Sequence, residues 1–156
     1  MKKKILFFSE SLDGGGAETA LNNIVKYLDK DAFDITVVSE TDGERFTEEI
    51  KKNSRHKSFT HKSSSPVKNS LNKVIIKGSL LLPPSAVKRL YIPGKYDIEV
   101  AACEGFSTKI IAGSQNKNSI KIAYVHTDFV NNPWSISVYK KIRSCGKNLR
   151  HSQHYR

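Results

Sequence analysis

The chain has 156 residues, 38% of them apolar, and a formal net charge of +11. That is enough to bury one globular core and too little for two full domains, and the lack of any run of about 18 apolar residues excludes a membrane-spanning helix. The two cysteines, Cys103 and Cys145, have no CxxC spacing, which excludes a zinc knuckle and a disulfide framework and points to a reducing cytoplasm.

Residues 4–9 read as a buried strand, and the apolar run at its centre is too short for a secretory leader. Gly14-Gly15-Gly16 follows, opening a helix over residues 16–28 with Ala17, Leu21, Ile24, Val25 and Leu28 on one face. Three glycines in a row remove every Cβ. An anion such as a phosphate can then approach the peptide N–H groups, and the helix adds its positive N-terminus. The same glycines also suit a flexible strand-to-helix connector. Neither nucleotide fingerprint fits, because Glu18 and Thr19 replace the continuation to a third dinucleotide-loop glycine and no Gly-Lys-Ser/Thr ending is present.

Residues 33–39 form a second β-branched run, 44–52 a short helix with Phe46 and Ile50 on one side, and 56–60 a third strand. A serine-rich loop over 63–66 leads into helical segments over 71–91, broken at Pro83-Pro84. Residues 98–103 predict a strand, 105–112 a short helix, and 120–125 a strand that delivers His126 at its C-terminal end. Strand-helix alternation of this kind needs crossover connections. The expected fold is therefore α/β, a single domain with a mostly parallel sheet flanked by helices. Ligands of such sheets bind beyond the C-terminal ends of strands, where the triglycine loop, Glu104 and His126 all fall.

Charge is unevenly spread. Residues 1–50 hold 6 Lys/Arg against 11 Asp/Glu and the remainder 20 against 4, so the two parts carry about −5 and +16. No acidic residue lies between Glu49 and Asp97. A field of that sign attracts nucleic acid or an anionic membrane, but only Phe59 and Tyr91 interrupt the basic stretch before Tyr96, which disfavours base stacking and hence nucleic acid. A solvated lysine-rich surface is the plain alternative. Leu80, Leu81 and Leu82 either dip toward acyl chains or belong to the core, and the core is the expected place.

Ser11-Leu12-Asp13-Gly14-Gly15-Gly16-Ala17-Glu18, then Lys95-Tyr96-Asp97-Ile98-Glu99-Val100, Glu104-Gly105-Phe106-Ser107-Thr108-Lys109 and Ala123-Tyr124-Val125-His126-Thr127-Asp128 occur in that order. Over residues 1–140 this series resembles landmarks in the N-terminal half of bacterial family 4 glycosyltransferases. The resemblance implies one Rossmann-like, acceptor-side domain of a retaining GT-B enzyme, whose partner domain holds the nucleotide. By the same resemblance Gly14, Gly15 and Gly16 approach the donor diphosphate and sugar, and His126 lies against the donor sugar. Glu104 and Asp128 are candidates to position or activate an acceptor hydroxyl, with loop capping or turn formation as their structural alternative. For His126 the alternative is an ordinary structural histidine. His56, His61, His151 and His154 lack ligand spacing, and no metal or cofactor is implied beyond the nucleotide-sugar substrate.

Residues 141–156 are basic and rich in His and Ser, and they depart from that pattern as a truncated or frameshifted end, or a disordered tail, would. The function implied is transfer of a sugar from a nucleotide-sugar donor to a polysaccharide or lipid-linked saccharide, inactive in this chain alone. The alternative is a non-catalytic subunit that binds acceptor and anionic membrane and needs a separate donor-binding chain. Either implies a cytoplasmic protein, with peripheral contact at the inner face of the membrane. A nucleotide- or nucleic-acid-binding module is a third and remoter possibility.

Overall fold

The computed structural model describes residues 1–126 and 149–152, the last four through their backbone. The elements run β1 (Lys3–Ser9), α1 (Gly16–Tyr27), β2 (Phe33–Asp42), α2 (Thr47–Asn53), β3 (Arg55–His61), α3 (Pro66–Leu81), α4 (Pro84–Tyr91), β4 (Ile98–Ala101), α5 (Phe106–Ala112), β5 (Ile120–Tyr124) and β6 (Leu149–Ser152). All strand pairs are parallel, in the order β3-β2-β1-β4-β5-β6. Five strands between residues 3 and 124 make a Rossmann-like α/β sheet flanked by helices, as expected. β6, from the segment read as a tail, adds to the edge of β5. Parallel pairing uses main-chain groups, so an edge can accept a strand that carries no apolar alternation of its own.

β1 is central because its residues Ile5, Leu6, Phe7, Phe8 and Ser9 are all buried, which only a strand covered on both faces permits. Its neighbours are set in register, Phe7 opposite Val37 of β2 and Val100 of β4. Alternation along the strand then divides the core. Ile5, Phe7, Ile35, Val37 and Val100 pack with Leu21 and Val25 of α1 and Ile50 of α2, while Leu6, Phe8, Val38 and Ala101 pack with Val87 of α4 and Ile110 and Ile111 of α5. Phe8, Phe59 and Tyr91 form a ring series, with centroids 5.6 and 4.3 Å apart, that ties α4 to the sheet.

Helix ends follow local chemistry. Lys30 reaches back to the carbonyls of Val25, Lys26 and Leu28, a cation on the negative end of α1. α3 starts at Pro66, where a missing N–H costs nothing, several residues before its apolar periodicity becomes evident, and it ends ahead of Pro83-Pro84. Its attachment is thin. Asn72 Nδ2 donates to the His61 carbonyl at 2.5 Å, and Ser79 is its one buried residue. Leu80, Leu81 and Leu82 are 45%, 88% and 40% exposed, which corrects their expected core placement. Sequence hydrophobicity shows that such residues prefer burial, but not whether a neighbour exists to cover them. No helix among the described residues is long and apolar enough to cross a membrane.

Candidate functional site

In this strand order the chain winds outward from β1 through β2 to β3, then returns to β4 on β1's other side. The loops after β1 and β4 therefore diverge, leaving the crevice at which ligands of doubly wound sheets bind. The triglycine loop follows β1, and Glu104 follows β4.

Gly14 has φ +119°, a conformation that favours glycine; Gly15 is the N-cap of α1; Gly16 is its first residue. Gly15 has no side chain with which to cap the helix, and the Thr19 hydroxyl donates to its carbonyl at 2.8 Å. Two earlier amides of the loop are already engaged, Leu12 N–H by Glu44 Oε2 and Asp13 N–H by Ser11 Oγ at 3.0 Å. The Glu18 side chain lies over Gly15, in the third-residue position from which a glutamate can reach back to a helix start. An entering anion must displace it. Beside Gly14 runs Arg45: a Cβ on Gly14 would stand 3.0 Å from Arg45 Cδ and 3.2 Å from Nη1. The Arg45 guanidinium also sits 5.3 Å from the centroid of the Phe46 ring and pairs with no carboxylate among the described residues.

His126 and Glu104 come together. His126 N–H donates to Glu104 Oε2 at 3.0 Å, and His126 Nε2 lies 2.9 Å from the Ala102 carbonyl. A carbonyl only accepts, so Nε2 carries the proton and, in the neutral ring, Nδ1 is left as an acceptor. His126, Tyr124 and Val125 line one side of a groove of about 380 Å³, and Ala17, Ala20, Leu21 and Ile24 of α1 line the other. The helix opened by Gly16 and the exposed His126 thus border one space. Asp128 lies outside the described residues.

Sequence reasoning missed a set of carboxylates on the other side of the loop. Ser9 pairs with Ser39, so Glu10 and Glu40 follow in adjacent strands. Glu10 Oε1 accepts from Ser107 N–H at 3.0 Å, at the start of α5. Burial raises the Glu10 carboxyl against the amides of Ser107 and Phe106. Burial, then the charges of Glu10 and Glu44, pushes Glu40 up to about 7. Burial likewise raises Glu44, despite the Leu12 amide. The signal was present in the acidic excess of residues 1–50, but only strand order shows that these side chains converge.

Two other constellations do not form reactive centres. Ser39 Oγ is 3.0 Å from His56 Nε2, and His56 Nδ1 is 4.0 Å from Asp42, which imitates a Ser-His-Asp series. Ser39 is fully buried and its hydroxyl donates to the Thr41 carbonyl, so no exposed nucleophile results. The Cys103 thiol is pushed up by burial, the opposite of activation. Among the described residues, no group of three or more His, Cys, Asp or Glu is placed to hold a metal ion. No protein-family model matches the chain, and no curated protein matches it.

Proposed function

We propose that this domain is the acceptor-side wall of a retaining sugar transferase of GT-B type, with the nucleotide held by a second wall on another domain or chain. The observation that carries the reading is Arg45 laid across Gly14 beside the uncapped start of α1, at the crevice between β1 and β4. Cleavage of a nucleoside diphosphate sugar builds negative charge on the departing phosphate. Preorganised amides, a helix N-terminus and a guanidinium stabilise that charge most where it develops. His126, on the far side of the α1 groove, offers Nδ1 to a sugar hydroxyl while Nε2–H is held by Ala102. Glu40, with its carboxyl near 7, is able to exchange a proton with an acceptor hydroxyl at neutral pH. A cytoplasmic location belongs to the same proposal, since nucleotide sugars are cytoplasmic substrates.

Titration calorimetry with inorganic pyrophosphate and a panel of nucleotide sugars tests the phosphate site. Binding by the parent chain, weakened roughly tenfold or more by Arg45→Ala, is expected. Absence of diphosphate binding, or binding indifferent to Arg45→Ala, refutes the assignment.

A further inference from the structure

Helix α3 turns its apolar side to solvent. Val67, Leu71, Val74 and Leu81 recur at helical spacing on one face and are 78%, 59%, 64% and 88% exposed. Gly78 falls on the same line, with open space where its Cβ would be. Lys68 and Lys77 flank the stripe on either side, and both are exposed. Leu82 and Leu90 continue the apolar surface into a groove rimmed by Arg89, Lys95 and Lys117. Aligned and exposed apolar side chains of this kind mark an interaction surface.

We propose that α3 lies in the plane of an anionic lipid bilayer, its Val67–Leu71–Val74–Leu81 stripe among the upper acyl chains and its lysines at the headgroups. Charge chooses this occupant over the others. Residues 50–96 contain 11 Lys/Arg and no Asp/Glu, so a second copy of the same face would set Lys68, Lys73 and Lys77 against their own kind. Residues 127–148 of the chain itself carry four Lys/Arg against the single acid Asp128 and offer no complement either. An anionic surface supplies both the counter-charge and the apolar layer. The inference stands on α3 and does not depend on the sugar-transfer reading.

The test is co-sedimentation of the full chain with vesicles of phosphatidylcholine alone or mixed in equal parts with phosphatidylglycerol. Binding to the mixed vesicles only, falling with added salt, is expected. Leu71→Asp with Val74→Asp should return the pelleted fraction to background, and the triple change Lys68→Gln, Lys73→Gln, Lys77→Gln should weaken binding roughly 100-fold. All five side chains are exposed, and circular dichroism of each variant confirms that the fold is kept. No binding to the mixed vesicles overturns the proposal, as does binding that both variants leave intact. If Leu71→Asp with Val74→Asp instead converts an oligomer to a monomer in light scattering and vesicles do not bind, the stripe joins copies of the chain and the proposal falls.

Discussion

Lys88 Nζ stands 3.3 Å from Glu99 Oε1, beneath α4 and against β4, with the two side chains 7% and 0% exposed. The lysine donates instead to the Ile92 carbonyl at 3.2 Å, and it lies 5.1 Å from the centroid of the Tyr96 ring. Neither Glu99 oxygen accepts a hydrogen bond among the described residues. Burial lowers the Lys88 ammonium, while the Glu99 charge opposes that shift. The pair is close but incompletely satisfied, so removing one partner strands the other. Lys88→Met should cost about 3–5 kcal/mol in denaturant unfolding, whereas Lys88→Met with Glu99→Leu should lie within about 1 kcal/mol of the parent. A double variant as unstable as the single one would show that packing, not the stranded charge, sets the cost.

Glu40 makes stability depend on pH. Its carboxyl is raised from 4.5 to about 7 on folding, so the folded chain keeps a proton that the unfolded chain releases. The contribution is fully present below pH 4.5, declines as pH rises from 4.5 to 7, and is constant above that. Glu40→Gln, which needs no proton, should match the parent near pH 4 and exceed it by about 1–2 kcal/mol near pH 8, a rise in Tm of roughly 3–6 °C. A difference that does not change with pH would exclude this titration.

The triglycine loop separates fold from ligand approach. Gly14→Ala forces an alanine to φ +119° against Arg45 and should cost about 1–3 kcal/mol. Gly16→Ala meets no atom within 4 Å and replaces glycine in a helix. It should leave the urea midpoint unchanged or raise stability by up to about 1 kcal/mol. If the phosphate site is as proposed, Gly16→Ala nonetheless weakens pyrophosphate binding, because its methyl group occupies the ligand's approach.

Gly113 and Gly78 give an opposed pair. A Cβ on Gly113 would stand 2.5 Å from Pro84 Cβ, 2.9 Å from Pro84 C and 3.0 Å from Ser85 N. Backbone cannot yield as a side-chain tip does, so Gly113→Ala should lose about 1–3 kcal/mol by prying α5 from α4. Gly78→Ala, exposed in the last turn of α3, should gain up to about 1 kcal/mol. Urea midpoints at equal slope would show the two signs directly.

Much of the scaffold was legible because its signals are local. The apolar run at residues 5–8 required a strand covered twice, the period of Leu21, Ile24, Val25 and Leu28 required a helix, and Pro83-Pro84 required a break. α3 starts ahead of the helical segment that the sequence predicts from residue 71, because Val67 is its only apolar side chain before Leu71 and the serine-rich run and Pro66 signal a loop. Leu80, Leu81 and Leu82 were misplaced because hydrophobicity is a property of the residue and burial a property of its neighbours. For the candidate site, the glycines and His126 stand out in the sequence by type and by position at strand ends. Arg45, Glu10 and Glu40 do not, since only the tertiary structure brings them beside the triglycine loop and the start of α5.

By itself the sequence determined an alternating α/β chain, a glycine-opened helix after the first strand and a basic stretch free of acids between Glu49 and Asp97, each a matter of residue type and near-neighbour spacing. The tertiary structure alone decided that β1 lies between β2 and β4, that Arg45 crosses Gly14, that Glu104 holds the main chain of His126, and that the apolar face of α3 is uncovered. Relationships of this kind join residues as far as 97 positions apart, as in the Glu10 carboxylate that accepts from the Ser107 amide, and they follow from which strands pair, a long-range choice that local patterns do not encode.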